Sequence, residues 1–113
     1  MWSNNMNKTE MIRKLNDNFR TCLKGGKVML TIGIRSKAEN EVTEILEKVV
    51  NFNDFNKNND VYGEHDYLSF DYKGEKIIAK IDYYDKDYRF MSDNPADPTI
   101  TNRLLTIMTA SEY

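Results

Sequence analysis

The sequence has few of the residues that make covalent or metal cross-links. Among 113 residues it contains one cysteine, one histidine, two prolines and five glycines. A single cysteine excludes an internal disulfide and a zinc site built on several thiolates. Cys22 is expected within an amphipathic helix, where a lone cysteine usually behaves as a small buried hydrophobe, so no chemistry is assigned to it.

Long apolar runs and a strong charge of one sign are also missing. No stretch approaches the roughly 18 apolar residues that span a bilayer, and the first residues, MWSNNMNKTE, do not resemble a signal peptide. We therefore expect a cytoplasmic protein with no membrane partner. The 16 basic and 18 acidic side chains give a net charge of -2, without the basic excess of proteins that follow phosphates, so nucleic acid is not expected as a direct ligand.

The composition is that of a folded domain. Hydrophobic residues make up 40% of the chain and charged residues 30%, which is typical of a globular protein. The length is close to the common size of one domain. Residues 1–8 lack periodicity and are predicted to form a flexible tail, and residues 9–113 are predicted to form a single α+β domain.

The first half of the chain predicts helix, strand and helix. Thr9 is expected to cap a helix whose apolar positions recur at helical spacing until glycines 25–26. Residues 27–33 alternate between apolar and polar as in a strand. Ser36 is expected to cap a second helix, with an apolar stripe over residues 38–49.

The second half predicts a hairpin and a final helix. Two strand-like runs, residues 64–72 and 75–84, are joined by a short turn. Asp97 followed by Pro98 is typical of a helix start, and apolar positions over residues 100–111 share one helical face. The predicted order is α-β-α-β-β-α, with three helices packed on a small, mainly antiparallel sheet.

The register of the hairpin follows from keeping its apolar residues on one face. The favoured register pairs Tyr72 with Glu75, Phe70 with Ile77, Leu68 with Ala79 and Asp66 with Ile81. The other face then carries three polar pairs: His65 with Asp82, Tyr67 with Lys80, and Asp71 with Lys76. A one-residue slip would mix the two faces, so the first register is predicted.

Residues 62–97 are unusually dense in carboxylates and tyrosines and contain the only histidine. Tyrosine and arginine are the residue types that dominate binding hot spots, and Arg103 could reach a carboxylate here or an anionic partner. The predicted binding residues are Glu64, His65, Asp66, Lys80, Asp82, Tyr84, Asp85, Tyr88, Arg89 and Arg103. His65 and Asp82 either fix the hairpin or form an acid-base pair. No metal site or cofactor is assigned, because the acids lack a fixed ligand spacing.

Five motifs in order resemble a domain-of-unknown-function family of short bacterial and mobile-element proteins. They are GGKVMLTIGI, YGEHDYLSF, KIDYYD, PADP and LLTIMTASEY, which lie within residues 15–113. The resemblance implies no established activity, but it implies a context of plasmids, phages and other mobile elements.

That context favours an accessory protein that acts by binding another macromolecule. We expect a counter-defence inhibitor of the anti-CRISPR or anti-restriction type, whose protein partner is a host defence or processing enzyme. The alternative is a small hydrolase or nucleotide-processing enzyme that uses His65 and Asp82, with or without a divalent metal. The sequence leaves the choice, and the oligomeric state, open.

Overall fold

Three helices and four strands form the part of the chain that the structure, a computed structural model, describes, residues 6–113. The helices are α1 (Lys8–Cys22), α2 (Ile32–Arg35) and α3 (Glu39–Asn51), and the strands are β1 (Lys27–Leu30), β2 (Tyr67–Tyr72), β3 (Glu75–Tyr84) and β4 (Asn102–Thr109). A short 3-10 turn at Ala110–Glu112 follows β4. The predicted α+β class is confirmed. Residues 1–5 of the predicted tail lie outside the described residues.

The strands form one mixed sheet in the order β1-β4-β3-β2. β3 runs antiparallel to both β2 and β4, whereas β1 pairs in parallel with β4. The sheet is therefore mainly antiparallel, as predicted. The strand nearest the end of the sequence lies inside the sheet, between β1 and β3.

The predicted register of the β2–β3 hairpin is confirmed. Tyr72 pairs with Glu75, Phe70 with Ile77 and Leu68 with Ala79. The two turn residues, Lys73 and Gly74, have φ values of 50° and 83°. Positive φ at both positions matches the right-handed twist of a two-residue hairpin, and glycine adopts it without strain.

The predicted last helix is wrong, because residues 102–109 form the strand β4. Leu105 and Ile107 are buried on the helix-covered face of the sheet, and Thr106 and Met108 are buried on the opposite face. An apolar run buried on both faces cannot be told from a helix by periodicity alone. Asp97 does not cap a helix, since its carboxylate accepts bonds from the backbone and hydroxyl of Thr99 within a turn.

The other element boundaries shift by a few residues. Asn7, rather than Thr9, caps α1, because its side-chain oxygen accepts a 2.8 Å hydrogen bond from the Glu10 amide. The predicted strand over 27–33 ends at residue 30, where the short helix α2 begins soon after. Ser36 ends α2, and α3 starts at Glu39.

The core lies between one face of the sheet and the helices α1 and α3. Its buried members come from both layers and include Phe19, Ile45, Val49, Ile77, Leu105 and Ile107. The predicted stripe of the second helix is confirmed by Ile45 and Val49. Cys22, which was expected to be buried, is exposed at the end of α1.

Candidate functional site

A network of hydrogen-bonded polar side chains crosses the edge of the core. Asn16 of α1 is fully buried, and its Oδ1 accepts a 2.8 Å hydrogen bond from Nε of Arg103 in β4. Its Nδ2 donates to the hydroxyl of Tyr83 at 2.8 Å and to the carbonyl of Glu64 at 2.9 Å. The Tyr83 hydroxyl in turn donates to Oε1 of Glu64 at 2.8 Å. The network therefore joins α1, β3, β4 and the segment before β2.

Arg103 is a charged residue that is almost completely buried from solvent. Only 4% of the residue is exposed, and its Nη2 donates to the carbonyl of Pro95 at 2.6 Å. Its guanidinium lies 5.1 Å from the centre of the Tyr83 ring. Within residues 6–113 no carboxylate oxygen lies within 4 Å of the Arg103 guanidinium, the limit for a salt bridge. The carboxylate expected next to Arg103 is therefore not there.

The electrostatics of the network follow from burial. Burial lowers the pKa of the Arg103 guanidinium, and the nearby Tyr83 and Glu64 act against that shift. Burial also raises the pKa of the Tyr83 hydroxyl, which stays a neutral donor at any ordinary pH. The positive charge of Arg103 is thus balanced by Glu64 through two intervening side chains, Asn16 and Tyr83, an arrangement that depends on every hydrogen bond being made.

Asp66 lies beside the network at a cavity of about 360 Å³. The other residues that line this cavity are Ile81, Asp82, Tyr83, Tyr84 and Met91. Burial raises the pKa of the Asp66 carboxyl, and repulsion from Glu64, Asp60 and Asp82 adds to the rise. A carboxyl with a raised pKa at a cavity can hold a proton that an exposed aspartate would release.

The predicted pair of His65 and Asp82 is not formed. Nδ1 of His65 lies 2.8 Å from Oδ1 of Asp17 in α1, and the imidazole stacks on the Phe55 ring at 3.8 Å between centroids. Asp82 instead accepts a 2.5 Å hydrogen bond from Lys80. The reason is local: β2 begins only at residue 67, and the φ of 56° at His65 turns the chain back towards α1.

His65 instead belongs to a set of contacts that fixes the loop between α3 and β2. Asp17 also accepts a 3.2 Å hydrogen bond from Arg20. Arg20 is 3% exposed and donates to the carbonyls of Val49 and Phe52 at the end of α3. A cation at a helix C-terminus satisfies carbonyls that have no partner in the helix. This part of the predicted site therefore has an evident structural role.

The remaining predicted residues lie on residues 84–92, here called the exit loop. Its ends are tied by a bridge between Tyr84 and Met91. Asp85 orders the loop, because its Oδ1 accepts bonds from the amides of Asp87 at 3.1 Å and Arg89 at 3.0 Å. These bonds, the one from Arg89 foremost, lower the pKa of the Asp85 carboxyl. The Tyr84 and Tyr88 rings lie 6.0 Å apart.

The exit loop presents large apolar side chains to solvent. Phe90 is 70% exposed and Met91 is 79% exposed. With Ile100, which is also exposed, they border a groove of about 490 Å³ whose other lining residues are Asp85, Lys86 and Asp93. Neither Phe90 nor Met91 was among the predicted site residues, although two adjacent large apolar residues in an otherwise polar loop are a readable signal.

The structure thus divides the predicted site into three parts. The first part is the buried network with Glu64 and Arg103, together with the adjoining cavity, where Asp66 lies and where Asp82 pairs with Lys80. The second part is His65, which contacts α1. Tyr84, Asp85, Tyr88 and Arg89 form the exit loop. Asn16 was missed, although a polar residue four positions after Ile12 on the apolar stripe of α1 indicates a buried hydrogen-bonding role.

Residues 6–113 contain neither a clustered metal-ligand set nor a membrane-spanning helix. No group of three or more histidine, cysteine, aspartate or glutamate side chains is arranged to hold a metal ion there. No described helix combines the length and apolar character needed to cross a membrane.

The fold and the buried network define a small α+β domain with a polar edge, and comparison with known families assigns it to one of them. The family described as "Protein of unknown function (DUF3768)" matches residues 30–112. The chain belongs to this family, which confirms the predicted membership of a family of unknown function. Glu64, Tyr83 and Arg103 lie inside the match, whereas Asn16 lies before it. No curated protein and no solved structure matches the chain.

Proposed function

We propose that this protein acts by binding another macromolecule, a protein, and that the exit loop is its contact surface. The observation that carries the proposal is the adjacent pair Phe90 and Met91, which are 70% and 79% exposed. Exposed apolar patches rimmed by polar residues mark interaction sites on soluble domains. Aromatic side chains, methionine and arginine are enriched at such interfaces.

The order of the loop supports the same proposal. The Asp85 amide donates to the Phe90 carbonyl at 2.8 Å, and the Ser92 amide donates to the Tyr83 carbonyl at 3.0 Å. Together with the bonds accepted by the Asp85 carboxylate, these contacts hold the loop in one shape before any partner arrives. A pre-ordered loop loses less conformational entropy on binding than a flexible one, so more of the contact energy is retained as affinity.

The chemistry of the groove indicates what the partner offers. Its apolar border suits an aliphatic or aromatic side chain, and Asp85 and Asp93 on its lining suit neighbouring basic residues. Enzymes that handle nucleic acid expose basic grooves. Because the family resemblance implies a mobile-element context, we take the partner to be a host defence or processing enzyme in the cytoplasm, which the protein inhibits in the anti-CRISPR or anti-restriction manner.

A paired-variant experiment tests the proposal. The protein is produced in bacteria that carry a restriction or CRISPR system, and the entry of target DNA is measured. We expect the wild type to raise DNA entry and F90S/M91S to lose that effect. Tyr62→Ser is the matched control, because Tyr62 is 82% exposed but lies outside the exit loop.

A photo-crosslinking residue gives the direct readout. Placed at position 90, it should capture the same defence enzyme in repeated experiments, and placed at position 62 it should not. Equal capture from both positions, or full activity of F90S/M91S, would show that the exit loop is not the contact surface.

A second function is favoured by the position of Asp66. Its raised pKa and its place at the 360 Å³ cavity fit the acid-base residue of a small hydrolase or nucleotide-processing enzyme. In this alternative Asp66 takes the role expected of His65, with Asp82 in the same cavity. Hydrolysis of phosphoester and nucleotide substrates, with and without Mg²⁺, Mn²⁺ or Zn²⁺, should then be lost in Asp66→Asn and kept in His65→Gln. If the wild type turned over none of these substrates with any of the metals, this second function would be ruled out.

A further inference from the structure

A separate cavity of about 240 Å³ is lined by residues of α1, of the turn after it, of the exit loop and of β4 and the segment before it. Three of its lining residues are cationic and come from different parts of the chain: Lys24 after α1, Lys86 in the exit loop and Arg103 in β4. Among the described residues that line it, none is acidic. Cations gathered around a concave, partly apolar wall focus a positive potential into the cavity.

Arg103 adds a buried cationic residue to the two lysines that line this cavity. Only 4% of Arg103 is exposed, and its Nε and Nη2 donate hydrogen bonds to the neutral oxygens of Asn16 and Pro95. Its Nη1 makes no hydrogen bond within residues 6–113, and it is not one of the side-chain atoms that are buried from solvent without a partner. A guanidinium that keeps one donor group free of protein partners can use it for a further acceptor.

Lys86 is held at the rim by its surroundings. Its Nζ lies 3.4 Å from both the Thr101 carbonyl and Oδ1 of Asn102. The Asn102 amide donates back to the Lys86 carbonyl at 3.0 Å. Both contacts of the ammonium are long, so it retains the ability to donate to a stronger acceptor. Asn18, Thr101 and Asn102 also line the cavity and can supply neutral hydrogen bonds.

The volume and the donors together select the ligand. Sites for drug-sized molecules occupy about 300 to 1,000 Å³, which is more than this cavity provides. Lysine, arginine and amide donors arranged around a point are suited to an anion with several acceptor oxygens. We propose that this cavity binds a phosphate group, either as inorganic phosphate or as the phosphate of a small monoester. This site is independent of the proposed partner-binding function, although Lys86 lines both the cavity and the exit-loop groove.

The test is a titration of the full chain with inorganic phosphate, in which the amide NMR spectrum is recorded at each step. Chloride keeps the ionic strength constant. We expect saturable shifts of the Gly25, Thr101 and Asn102 amides. K24Q/K86Q should weaken phosphate binding at least about tenfold, because hydrogen bonds to charged groups each carry enough free energy for such a change. Lys57→Gln, which removes an exposed lysine from the loop after α3, is the matched control and should bind as the wild type does.

A parallel titration with methyl phosphate separates the two sources of the phosphate. Tighter binding of the ester identifies a phosphorylated small molecule, and tighter binding of inorganic phosphate identifies the free ion. Arg103→Lys is informative only if its amide spectrum shows a folded domain. The test therefore relies on K24Q/K86Q. Shifts that never saturate, or equal affinities of K24Q/K86Q and Lys57→Gln, would overturn the proposal.

Discussion

Nε of Arg103 and Oδ1 of Asn16 form a 2.8 Å hydrogen bond between residues 87 positions apart in the chain. The bond is buried and joins the first helix to β4, one of the two inner strands of the sheet. It also begins the path of hydrogen bonds by which the charge of Arg103 meets that of Glu64. The stability of the domain and the electrostatics of its polar edge therefore depend on one neutral side chain.

Asn16→Ala is expected to destabilise the domain by about 3 kcal/mol, since it leaves Nε of the buried Arg103 without its acceptor and the Glu64 carbonyl without its donor. Urea unfolding followed by circular dichroism measures the change. Asn18→Ala, on the exposed side of the same helix, should stay within about 0.5 kcal/mol of the wild type. A loss below about 1 kcal/mol for Asn16→Ala would contradict the role given to the network.

At position 65 the backbone, and not only the side chain, should respond to substitution. His65 has a φ of 56°, where residues with a Cβ are strained by about 1 kcal/mol or more. His65→Ala and His65→Gly both lose the contacts to Asp17 and Phe55, but the glycine variant should be more stable than the alanine variant by about 1 kcal/mol.

The matched control for position 65 is Ser69 in the middle of β2. There the order should reverse, because glycine weakens a strand relative to alanine. Thermal unfolding of the four variants compares the two positions. The same order at both positions would mean that His65 does not keep its left-handed conformation.

The 3-10 turn at Ala110–Glu112 is expected to make the stability of the fold depend on pH in the acid range. The Glu112 carboxylate accepts hydrogen bonds from the Thr31 hydroxyl at 2.6 Å and from the Gly33 and Thr109 amides at 2.9 Å. These bonds, that of Thr31 foremost, lower the pKa of Glu112 from 4.5 to about 2. A carboxyl with a lowered folded-state pKa stabilises the fold above pH 4.5, and this stabilisation is lost as the pH falls towards 2.

Glu112→Gln should therefore flatten the dependence of stability on pH over that range, as measured by unfolding at a series of acid pH values. Glu47→Gln, on the exposed side of α3, serves as the control. Gly33→Ala should act like Glu112→Gln, because an added Cβ would lie 2.5 Å from Oε1 of Glu112. A pH dependence unchanged in both variants would refute the assignment.

Asp85→Ala tests whether order in the exit loop contributes to binding. The substitution removes the acceptor of two loop amides but leaves Phe90 and Met91 in place. We expect faster hydrogen exchange at Asp87 and Arg89, weaker partner binding and a global stability within about 1 kcal/mol of the wild type. Unchanged exchange would show that other contacts hold the loop. Asp71→Ala, which alters an exposed aspartate of β2, is the control.

The elements that could be predicted are those whose sequence has one consistent structural solution. The hairpin register was fixed by Phe70 and Ile77, because a slip would have exposed them. β4 could not be recognised, because residues buried on both faces have no polar side to show a period of two. His65 and Asp82 were misplaced for another reason. Their pairing required the strand to extend to residue 65, and the positive φ that ends it comes from contacts with α1.

The candidate site shows the same division. The exit-loop residues were predicted because tyrosines, an aspartate and an arginine adjoin in sequence. The network could not be assembled, since Asn16, Glu64, Tyr83 and Arg103 come from four distant segments and meet only when the sheet is complete.

The position of β4 also determines when the domain can fold during synthesis. Among residues 6–113, β1 has no hydrogen-bonded strand neighbour other than β4, and the β2–β3 hairpin reaches β1 only through that strand. Until residues 102–109 leave the ribosome, the nascent chain holds a hairpin and two amphipathic helices with their apolar faces uncovered. A product truncated before β4 would keep most of the sequence but expose an incomplete sheet to chaperones and proteases. We therefore expect the protein to accumulate in cells only as a chain that includes β4.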